Sequence, residues 1–318
     1  MGYKLAGFNV LGGVDIDPQM VKIYRTNHHP KISFQMSVRD LLKADLPPEL
    51  FNLDVLDGSP PCSSFSTAGS RDKAWGKKKV FREGQAAQRL DDLFFDFIDI
   101  AAALRPKVVI AENVKGLVIG KAKGYVKEIF AAFKAAGYDP QLFLLNASRM
   151  GVPQRRERTF FVARRSDLGM PKITLDFNDR PIPFDEIKQG ITQDGPWSGQ
   201  YEPIDCVKGL LKFVGRFDTS LAKASTIKNG TGSFHAHLLA WPGTVLATQI
   251  ANGGSITVMP EERRITDVER LRSQTFPVDY NFCGLSVQYV CGMSVPPFMM
   301  QRVASQVRRQ LLDALEAP

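Results

Sequence analysis

Strand-like apolar runs alternate with amphipathic stretches over residues 1–165 of this chain. Residues 8–14, 53–57 and 107–111 have the length and composition of buried strands. Residues 88–104 carry apolar side chains at the i, i+3, i+4, i+7 spacing of a helix with one face in the core. This alternation predicts an α/β fold with a doubly wound, Rossmann-like sheet. In such sheets the carboxyl ends of the strands converge on one crevice, where ligands bind.

The composition of the chain changes after this region. Residues 170–240 are rich in Pro, Gly, Asp, Lys and Ser and show no sustained helical period, which predicts a small, irregular, partly β domain. Helical periodicity returns at residues 266–275 and 297–315. We therefore predict three parts: an α/β domain over 1–168, the irregular domain over 169–241, and a closing segment over 242–318 whose C-terminal helix packs back on the first domain.

The overall composition limits the class of protein. The 318 residues are 44% hydrophobic and 23% charged, which suits a folded chain with a large core. The net charge of +8 favours polyanionic partners, although soluble proteins without such partners share it. The four cysteines show no CxxC pair or matching histidine spacing, so we predict no metal site. Since no run reaches the ~18 apolar residues of a membrane span, we predict a soluble, cytoplasmic protein.

A cysteine follows two prolines where the second strand-like run ends. The run reaches Asp57 and continues as Gly58-Ser59-Pro60-Pro61-Cys62. Proline fixes φ and cannot continue a strand ladder, so a stiff turn would present the Cys62 thiol at the mouth of the crevice. A buried structural cysteine is the alternative.

A carboxylate follows the next strand-like run, 50 positions after the cysteine (112 − 62). Burying Glu112 unpaired would be costly, so either a basic group pairs with it or it works as a proton donor. Candidate basic partners lie near the next strand, where alternation would place Arg156 and Arg158 on one face, with Gln154 two residues earlier. These arginines could equally be surface residues.

A basic segment follows the cysteine. Residues 70–89 include Lys77, Lys78 and Lys79 among several other basic side chains. The segment could be a solvated loop. Alternatively, it could act as a lid that clamps a phosphate backbone beside the thiol.

Four motifs, in this order and spacing, resemble one family. GSPPCSSFS, ENVKGL, PQRRERTFFV and GMSVPP are similar to motifs of the DNA cytosine-5 methyltransferases of bacteria and phages, and the resemblance covers almost the whole chain. It implies that residues 1–168 form a catalytic domain that binds S-adenosylmethionine, and that 169–241 form a target-recognition domain. It also implies double-stranded DNA as substrate, no metal, and a monomeric enzyme.

The resemblance implies a role for each residue of the catalytic group. Cys62 corresponds to the nucleophile that attacks carbon 6 of a flipped cytosine. Glu112 corresponds to the acid at ring nitrogen 3, and Arg158 to the arginine that holds the ring carbonyl. Arg156 joins the catalytic group, and Gln154 contacts the substrate.

The same resemblance implies a site for the methyl donor. Asp15 corresponds to the residue that takes the ribose hydroxyls, and Ile16 packs on the adenine. The remaining donor-binding positions are Val38, Pro60, Leu93 and Ser294. The remaining DNA-binding positions are Ser66, Lys77, Lys78 and Lys79.

The chain departs from the family pattern at three places. Ser37 stands where an aspartate is usual, and Met293 stands where an asparagine is usual. The printed sequence also lacks the family's opening strand and its Phe-x-Gly-x-Gly-Gly loop. We therefore expect exposed sheet edges and weak binding of S-adenosylmethionine, unless an upstream segment or another chain supplies the motif.

Three functions remain open from the sequence. The first is DNA cytosine-5 methylation in a restriction–modification or phage setting. The second is methylation of transfer RNA by the same chemistry. The third is a catalytically silent DNA-binding remnant.

Overall fold

The computed structural model describes residues 1–60, 92–119, 123–189, 201–252 and 254–316. The chain divides into two compact units that interleave along the sequence. We name them as follows: the α/β unit comprises residues 7–145, 157–176 and 303–318, and the mixed unit comprises residues 1–6, 146–156 and 177–302. These units differ from the continuous domains that were predicted, with boundaries at 168 and 241, because the chain leaves the α/β unit at Asn146 and re-enters it at Glu157.

The strands and helices alternate in the first half of the chain, as predicted. The strands are β1 (Gly12–Asp15), β2 (Ile32–Gln35), β3 (Val55–Gly58), β4 (Val108–Val114), β5 (Tyr138–Asn146), β6 (Gln154–Arg155), β7 (Glu157–Arg165), β8 (Leu238–Ala240), β9 (Leu246–Ala247), β10 (Ile256–Val258) and β11 (Arg263–Arg264). The helices are α1 (Gly2–Leu5), α2 (Pro18–His28), α3 (Leu93–Leu104), α4 (Lys123–Ala135), α5 (Asp205–Leu211), α6 (Ala222–Asn229), α7 (Asp267–Gln274), α8 (Val287–Met293), α9 (Pro297–Val307) and α10 (Asp313–Glu316). In the described part of the chain, no helix is long and apolar enough to cross a membrane.

The main sheet of the α/β unit has the strand order β3-β4-β7-β5. β3 and β4 are parallel, with Gly58 opposite Ala111, so their carboxyl ends lie side by side. β7 runs antiparallel to β4 and places Arg158 beside the end of β4. The predicted α/β class is confirmed. The topology brings Pro60, two residues after β3, to the same sheet edge as Glu112.

The core of this unit packs α3 and α4 against β4 and β7. Phe94 of α3 meets Phe161 of β7 edge to face, with ring centroids 5.3 Å apart. Burial of each such phenylalanine contributes about 1.5–3 kcal/mol. Gly58 permits close packing of β3 on α3, because a Cβ there would lie 2.4 Å from Cε2 of Phe97. The helical stripe predicted from the sequence is buried: Leu93, Phe94, Phe97, Ile98, Ala101 and Leu104.

A second apolar cluster lies under the other face of α3. Val14 of β1, Phe34 of β2 and Leu56 of β3 pack against a buried group that includes Ile100 and Leu104. The three strands therefore lie against one apolar layer. They nevertheless belong to two sheets, the parallel pair β1–β2 and the four-stranded sheet.

The mixed unit contains the three-stranded sheet β11-β10-β8 and the parallel pair β6–β9. Strand β8 falls within the region of residues 170–240, which was predicted to be irregular and partly β. The structure adds two helices there, α5 with 7 residues and α6 with 8. About two turns are too few for helical periodicity to stand out in a sequence window. Both helices pack on one apolar cluster, which includes Val207, Leu210, Leu221 and Ala224.

The C-terminal helices begin where the periodic segments predicted them. Thr266 caps α7 in a capping box: its side chain accepts from the Glu269 amide, and the Glu269 carboxylate accepts from the Thr266 amide. α9 continues through the π-helical residues Arg308–Leu312 into α10. The apolar face predicted for residues 297–315 is buried at Met299, Met300, Val303, Val307 and Leu311, but its last member, Leu315, is 37% exposed.

Candidate active site

One buried amide joins the ends of β3 and β4. The side chain of Asn113 donates from Nδ2 to the carbonyl oxygen of Pro60 over 2.9 Å. Its Oδ1 accepts from the main-chain N–H of Val114 at 2.9 Å. Asn113 is 5% exposed, so both bonds are shielded from water. The asparagine therefore fixes the point at which the chain leaves β3. Sequence reasoning missed this role, although a buried amide at a strand end was a usable signal.

Several predicted site residues lie outside the described part of the chain. These are Cys62, Ser66, Lys77, Lys78 and Lys79. Their roles remain predictions. The first described segment ends at Pro60, two residues before Cys62. The bond from Asn113 to Pro60 is therefore the described contact that lies closest to Cys62 along the chain.

A buried ion pair forms beside this contact. Nε of Arg158 lies 2.8 Å from Oε1 of Glu112, and the two side chains are 13% and 10% exposed. Burial lowers the pKa of the Arg158 guanidinium, and the adjacent Glu112 carboxylate works in the opposite direction. Arg158 also donates from Nη1 to the carbonyl of Glu157 at 2.9 Å. Of the two alternatives for Glu112, the structure shows a basic partner, and it is one of the two arginines that the sequence offered.

A second, more exposed ion pair borders the first. Nζ of Lys115 lies 2.7 Å from Oε2 of Glu157, with 41% and 36% of the side chains exposed. Exposed pairs of this kind contribute about 0–1 kcal/mol. The contrast in burial separates the Glu112–Arg158 pair from an ordinary surface contact.

Gln154 and Arg156 contact protein groups of the mixed unit. Both side chains have no exposed surface. Gln154 donates to Oε1 of Gln274 at 2.8 Å and accepts from the main-chain N–H of Gln249 at 2.9 Å. Arg156 donates to the carbonyls of Gln249 and Gly292, at 2.9 and 2.7 Å. The resemblance gave Gln154 a substrate contact and Arg156 a catalytic role, in supporting places beside Arg158. In the structure both side chains hydrogen-bond to protein groups, and their roles toward a substrate stay predictions.

The local backbone explains why Arg156 and Arg158 do not share a face. β6 ends at Arg155 and β7 begins at Glu157, so Arg156 interrupts the strand. Its N–H donates to the carbonyl of Gln154 at 2.9 Å, a bond between residues two apart that marks a tight γ-type turn. Such a turn breaks the period of two that the prediction assumed.

The residues predicted to bind the methyl donor lie at several strand and helix ends. Asp15 ends β1, and its Oδ1 accepts from the N–H of Asp17 at 2.8 Å. The Asp15 carboxylate reaches solvent, but the protein around it removes part of its hydration and raises its pKa. Ile16 is half-buried beside it. A carboxylate that can accept hydrogen bonds suits the two hydroxyls of a ribose, and an apolar side chain next to it suits the adenine ring.

The other predicted donor-binding residues have varied surroundings. Pro60 and Leu93 are buried, and Val38 is half-buried at the start of a 3₁₀ helix that is capped by Ser37. The Ser37 hydroxyl accepts from the N–H of Arg39, which gives this departure from the family pattern a structural role. Ser294 belongs to the mixed unit, where its hydroxyl donates to the Val290 carbonyl at 2.7 Å. The described residues contain no cluster of His, Cys, Asp or Glu that could hold a metal ion.

Comparison with known proteins decides the family. The model of the C-5 cytosine-specific DNA methylase family matches residues 1–309. The chain belongs to this family. The resemblance predicted from the four motifs is thereby confirmed.

Relatives of this cytosine methylase come from bacteria and phages. It is 31% identical to the type II methyltransferase M.NgoPII of Neisseria gonorrhoeae, over 98% of this chain and 92% of the relative. It is 32% identical to the type II methyltransferase M.FnuDI of Fusobacterium nucleatum, over 62% of this chain and 51% of the relative. It is 35% identical to the orphan methyltransferase M.SPRI of Bacillus phage SPR, over 67% of this chain and 45% of the relative. The chain thus spans about half the length of the last two relatives.

Solved structures share the fold of this methylase. An E. coli prophage protein described as a DNA modification methyltransferase superposes with a TM-score of 0.69 at 18% identity, covering 98% of this chain and 95% of that one. A DNMT2 variant from Spodoptera frugiperda gives a TM-score of 0.62 at 19% identity, covering 99% and 95%. The predicted Rossmann-like class is confirmed by these likenesses.

Proposed function

We propose that this chain transfers a methyl group from S-adenosylmethionine to carbon 5 of a cytosine in duplex DNA, through a covalent adduct with Cys62. One observation carries the proposal: Asn113 at the end of β4 holds Pro60, two residues before Cys62, and the preceding residue of that strand, Glu112, forms the buried pair with Arg158. Cytosine presents a carbon open to a nucleophile, a ring nitrogen that accepts a proton and a carbonyl oxygen. The target base must leave the helical stack for these atoms to be reached.

Each of the three side chains meets one of these atoms. Cys62 adds as a thiolate to carbon 6, and the π electrons of the 5,6 bond move toward carbon 5. Glu112 delivers a proton to nitrogen 3, which neutralises the charge that attack creates. Arg158 donates a hydrogen bond to the carbonyl oxygen at carbon 2. A thiolate suits this chemistry because it adds readily and can also leave.

Donor binding falls to Asp15 and Ile16 in this proposal. The Asp15 carboxylate accepts from the ribose hydroxyls, and Ile16 packs on the adenine ring. When bound, S-adenosylmethionine supplies an electrophilic methyl group. After carbon 5 has been methylated, loss of its proton to solvent restores the 5,6 double bond, expels the Cys62 thiolate and returns the nitrogen 3 proton to Glu112.

Incorporation of a labelled methyl group tests the reaction. The chain, with the Phe-x-Gly-x-Gly-Gly motif supplied at its N-terminus, is incubated with methyl-labelled S-adenosylmethionine and mixed-sequence duplex DNA, and the digested nucleosides are separated. We expect label in 5-methylcytosine. Parallel incubation with transfer RNA tests the RNA alternative: label in RNA and none in DNA would overturn the proposal. DNA binding without methylation of either substrate would favour the silent remnant.

Trapping tests the covalent step. Duplex DNA with fluorine at carbon 5 of cytosine cannot lose the fluorine as it loses a proton, so the adduct should persist through denaturation. We expect a shifted protein–DNA band that Cys62→Ser lacks. An equal shift from the serine variant would remove Cys62 from the mechanism. The type II and phage methyltransferases among the relatives support a restriction–modification or phage setting for the proposed activity.

A further inference from the structure

An exposed phenylalanine lies at the tip of a tight turn in the mixed unit. Phe217 is 53% exposed, although large apolar side chains are usually buried. Its φ of +65° lies in the left-handed region, which a phenylalanine rarely adopts. The guanidinium carbon of Arg216 lies 5.0 Å from the centroid of the Phe217 ring. An aromatic ring and a cation are thus presented together to solvent.

The turn that carries this pair is held by hydrogen bonds at both ends. The Asp218 carboxylate accepts from the Gly215 N–H at 2.8 Å, and the Asp218 N–H donates to the Gly215 carbonyl at 3.1 Å. Trp241 donates from Nε1 to the Asp218 carbonyl at 2.8 Å. Its ring meets the Phe217 ring at a centroid distance of 6.0 Å. Phe217 is therefore held in place on a pinned turn.

The strained backbone has no explanation in core packing. Phe234 has the same φ of +65°, but it packs against the apolar cluster formed by α5 and α6. The Phe217 ring points outward with more than half its surface in water. Strain of this kind persists where the surrounding structure enforces it, and it is concentrated at binding and switch elements.

The charges around the turn favour a polyanion. Arg216 and the nearby Lys212 are exposed. The acidic residue of the turn, Asp218, is bonded to Gly215 and lies 3.6 Å from Nζ of Lys223. The sequence from 219 to 260 then contains no aspartate or glutamate. DNA offers both phosphates for the cations and base faces for the aromatic ring.

We propose that Phe217 and Arg216 together bind duplex DNA, the ring stacking on a base or wedging at a base step and the guanidinium meeting a phosphate. Apolar wedges and stacked aromatic rings serve this purpose in other nucleic-acid-binding proteins. The inference rests on the proposed function, since it takes the methylation substrate as the ligand. It adds a DNA contact separate from the predicted lysine segment and from the catalytic group.

Equilibrium binding of a fluorescein-labelled, mixed-sequence duplex tests the contact. Phe217→Ala should weaken binding by about tenfold, as expected for loss of one stacking contact. Phe217→Tyr should retain the affinity. The matched control is Ile204→Ala, because Ile204 belongs to the same unit and is also 53% exposed. Equal affinities of the parent and Phe217→Ala, or an equal loss in Ile204→Ala, would overturn the proposal.

Three further variants separate binding from folding and test the phosphate contact. Phe217→Gly should raise the melting temperature, because glycine adopts a positive φ without strain, and should still weaken DNA binding. A lower melting temperature with unchanged DNA affinity would show that the ring serves the fold alone. Arg216→Gln should flatten the slope of log K against log salt by about 1, whereas Arg216→Lys should keep it. An unchanged slope in Arg216→Gln would remove the phosphate contact.

The outcome can be separated from that of the proposed function. If the parent methylates DNA while Phe217→Ala binds the duplex equally well, only the Phe217 inference fails. If the parent neither binds nor methylates DNA, the proposed function fails and the inference falls with it.

Discussion

Replacing Arg158 by methionine removes the cation from a nearly buried ion pair. The guanidinium lies 2.8 Å from the Glu112 carboxylate, and the side chains are 13% and 10% exposed. Loss of one partner from a buried pair destabilises a protein by about 3–5 kcal/mol. Because some water still reaches both groups, we expect about 3 kcal/mol, near the lower end of that range. In a unit of this size, such a loss lowers the melting temperature by roughly 6–12 °C.

Replacing Glu112 by glutamine should lower turnover far more than it lowers the melting temperature. Glutamine keeps the size of the side chain and can still accept a hydrogen bond from Arg158, so the melting temperature should change less. It cannot deliver a proton to the base, so turnover should fall by about 10²–10⁴ while DNA affinity stays near that of the parent. The double variant, Glu112→Gln with Arg158→Met, should regain much of the stability lost in Arg158→Met, because the uncompensated charge is gone.

Melting temperatures and methyl transfer at saturating DNA and donor measure these effects. Glu157→Gln is the control, since its carboxylate belongs to the exposed pair with Lys115 and should matter little. Turnover of Glu112→Gln within a few-fold of the parent would refute its role as an acid, judged against the usual gain. A melting temperature for Arg158→Met equal to that of the parent would refute the argument from burial.

Three further predictions follow from individual contacts. Asn113→Ala removes the bond to the Pro60 carbonyl and should slow formation of the fluorocytosine adduct by up to ~100-fold through misplacement of the turn, measured by gel shift over time. Burial lowers the pKa of His237. The stability that neutral His237 contributes is therefore complete above about pH 6.5 and is lost as the pH falls below that value. On acidification, the melting temperature of His237→Gln should fall less than that of the parent. Burial raises the pKa of the Cys291 thiol to about 12, so alkylation of the folded chain at about pH 8 should label exposed Cys206 and leave Cys291 unmodified, as peptide mapping would show.

The strands and the main helix of the α/β unit could be predicted because their burial follows a short period in the sequence. β4 is buried over most of its length, and the apolar stripe of α3 lies where its spacing placed it. The pairing of Glu112 with Arg158 could also be anticipated, since a carboxylate after a buried strand requires a partner. The antiparallel register of β4 and β7 then brings the arginine to it.

The interleaving of the two units could not be predicted in this way. Local composition suggests boundaries where it changes, as it does near residue 170, but it does not mark the passage of residues 146–156 into the mixed unit and back. Long-range packing of this kind leaves no mark on neighbouring residues. The helices α5 and α6 were missed for a related reason, because their two turns are fixed by a shared apolar cluster rather than by a long periodic face.

Gln154 and Arg156 stand within two to four residues of Arg158, and the family resemblance gave them supporting places beside it. In the structure the backbone turns at Arg156, so that this guanidinium bridges two main-chain carbonyls while Arg158 pairs with Glu112. The planar fork of arginine suits both tasks, since it can donate to two acceptors at once or hold one carboxylate. Spacing along the chain thus predicted that an arginine would pair with Glu112, but it could not tell Arg156 from Arg158. Only the contacts in the structure show that Arg156 bonds to main-chain carbonyls and Arg158 lies beside the proposed acid.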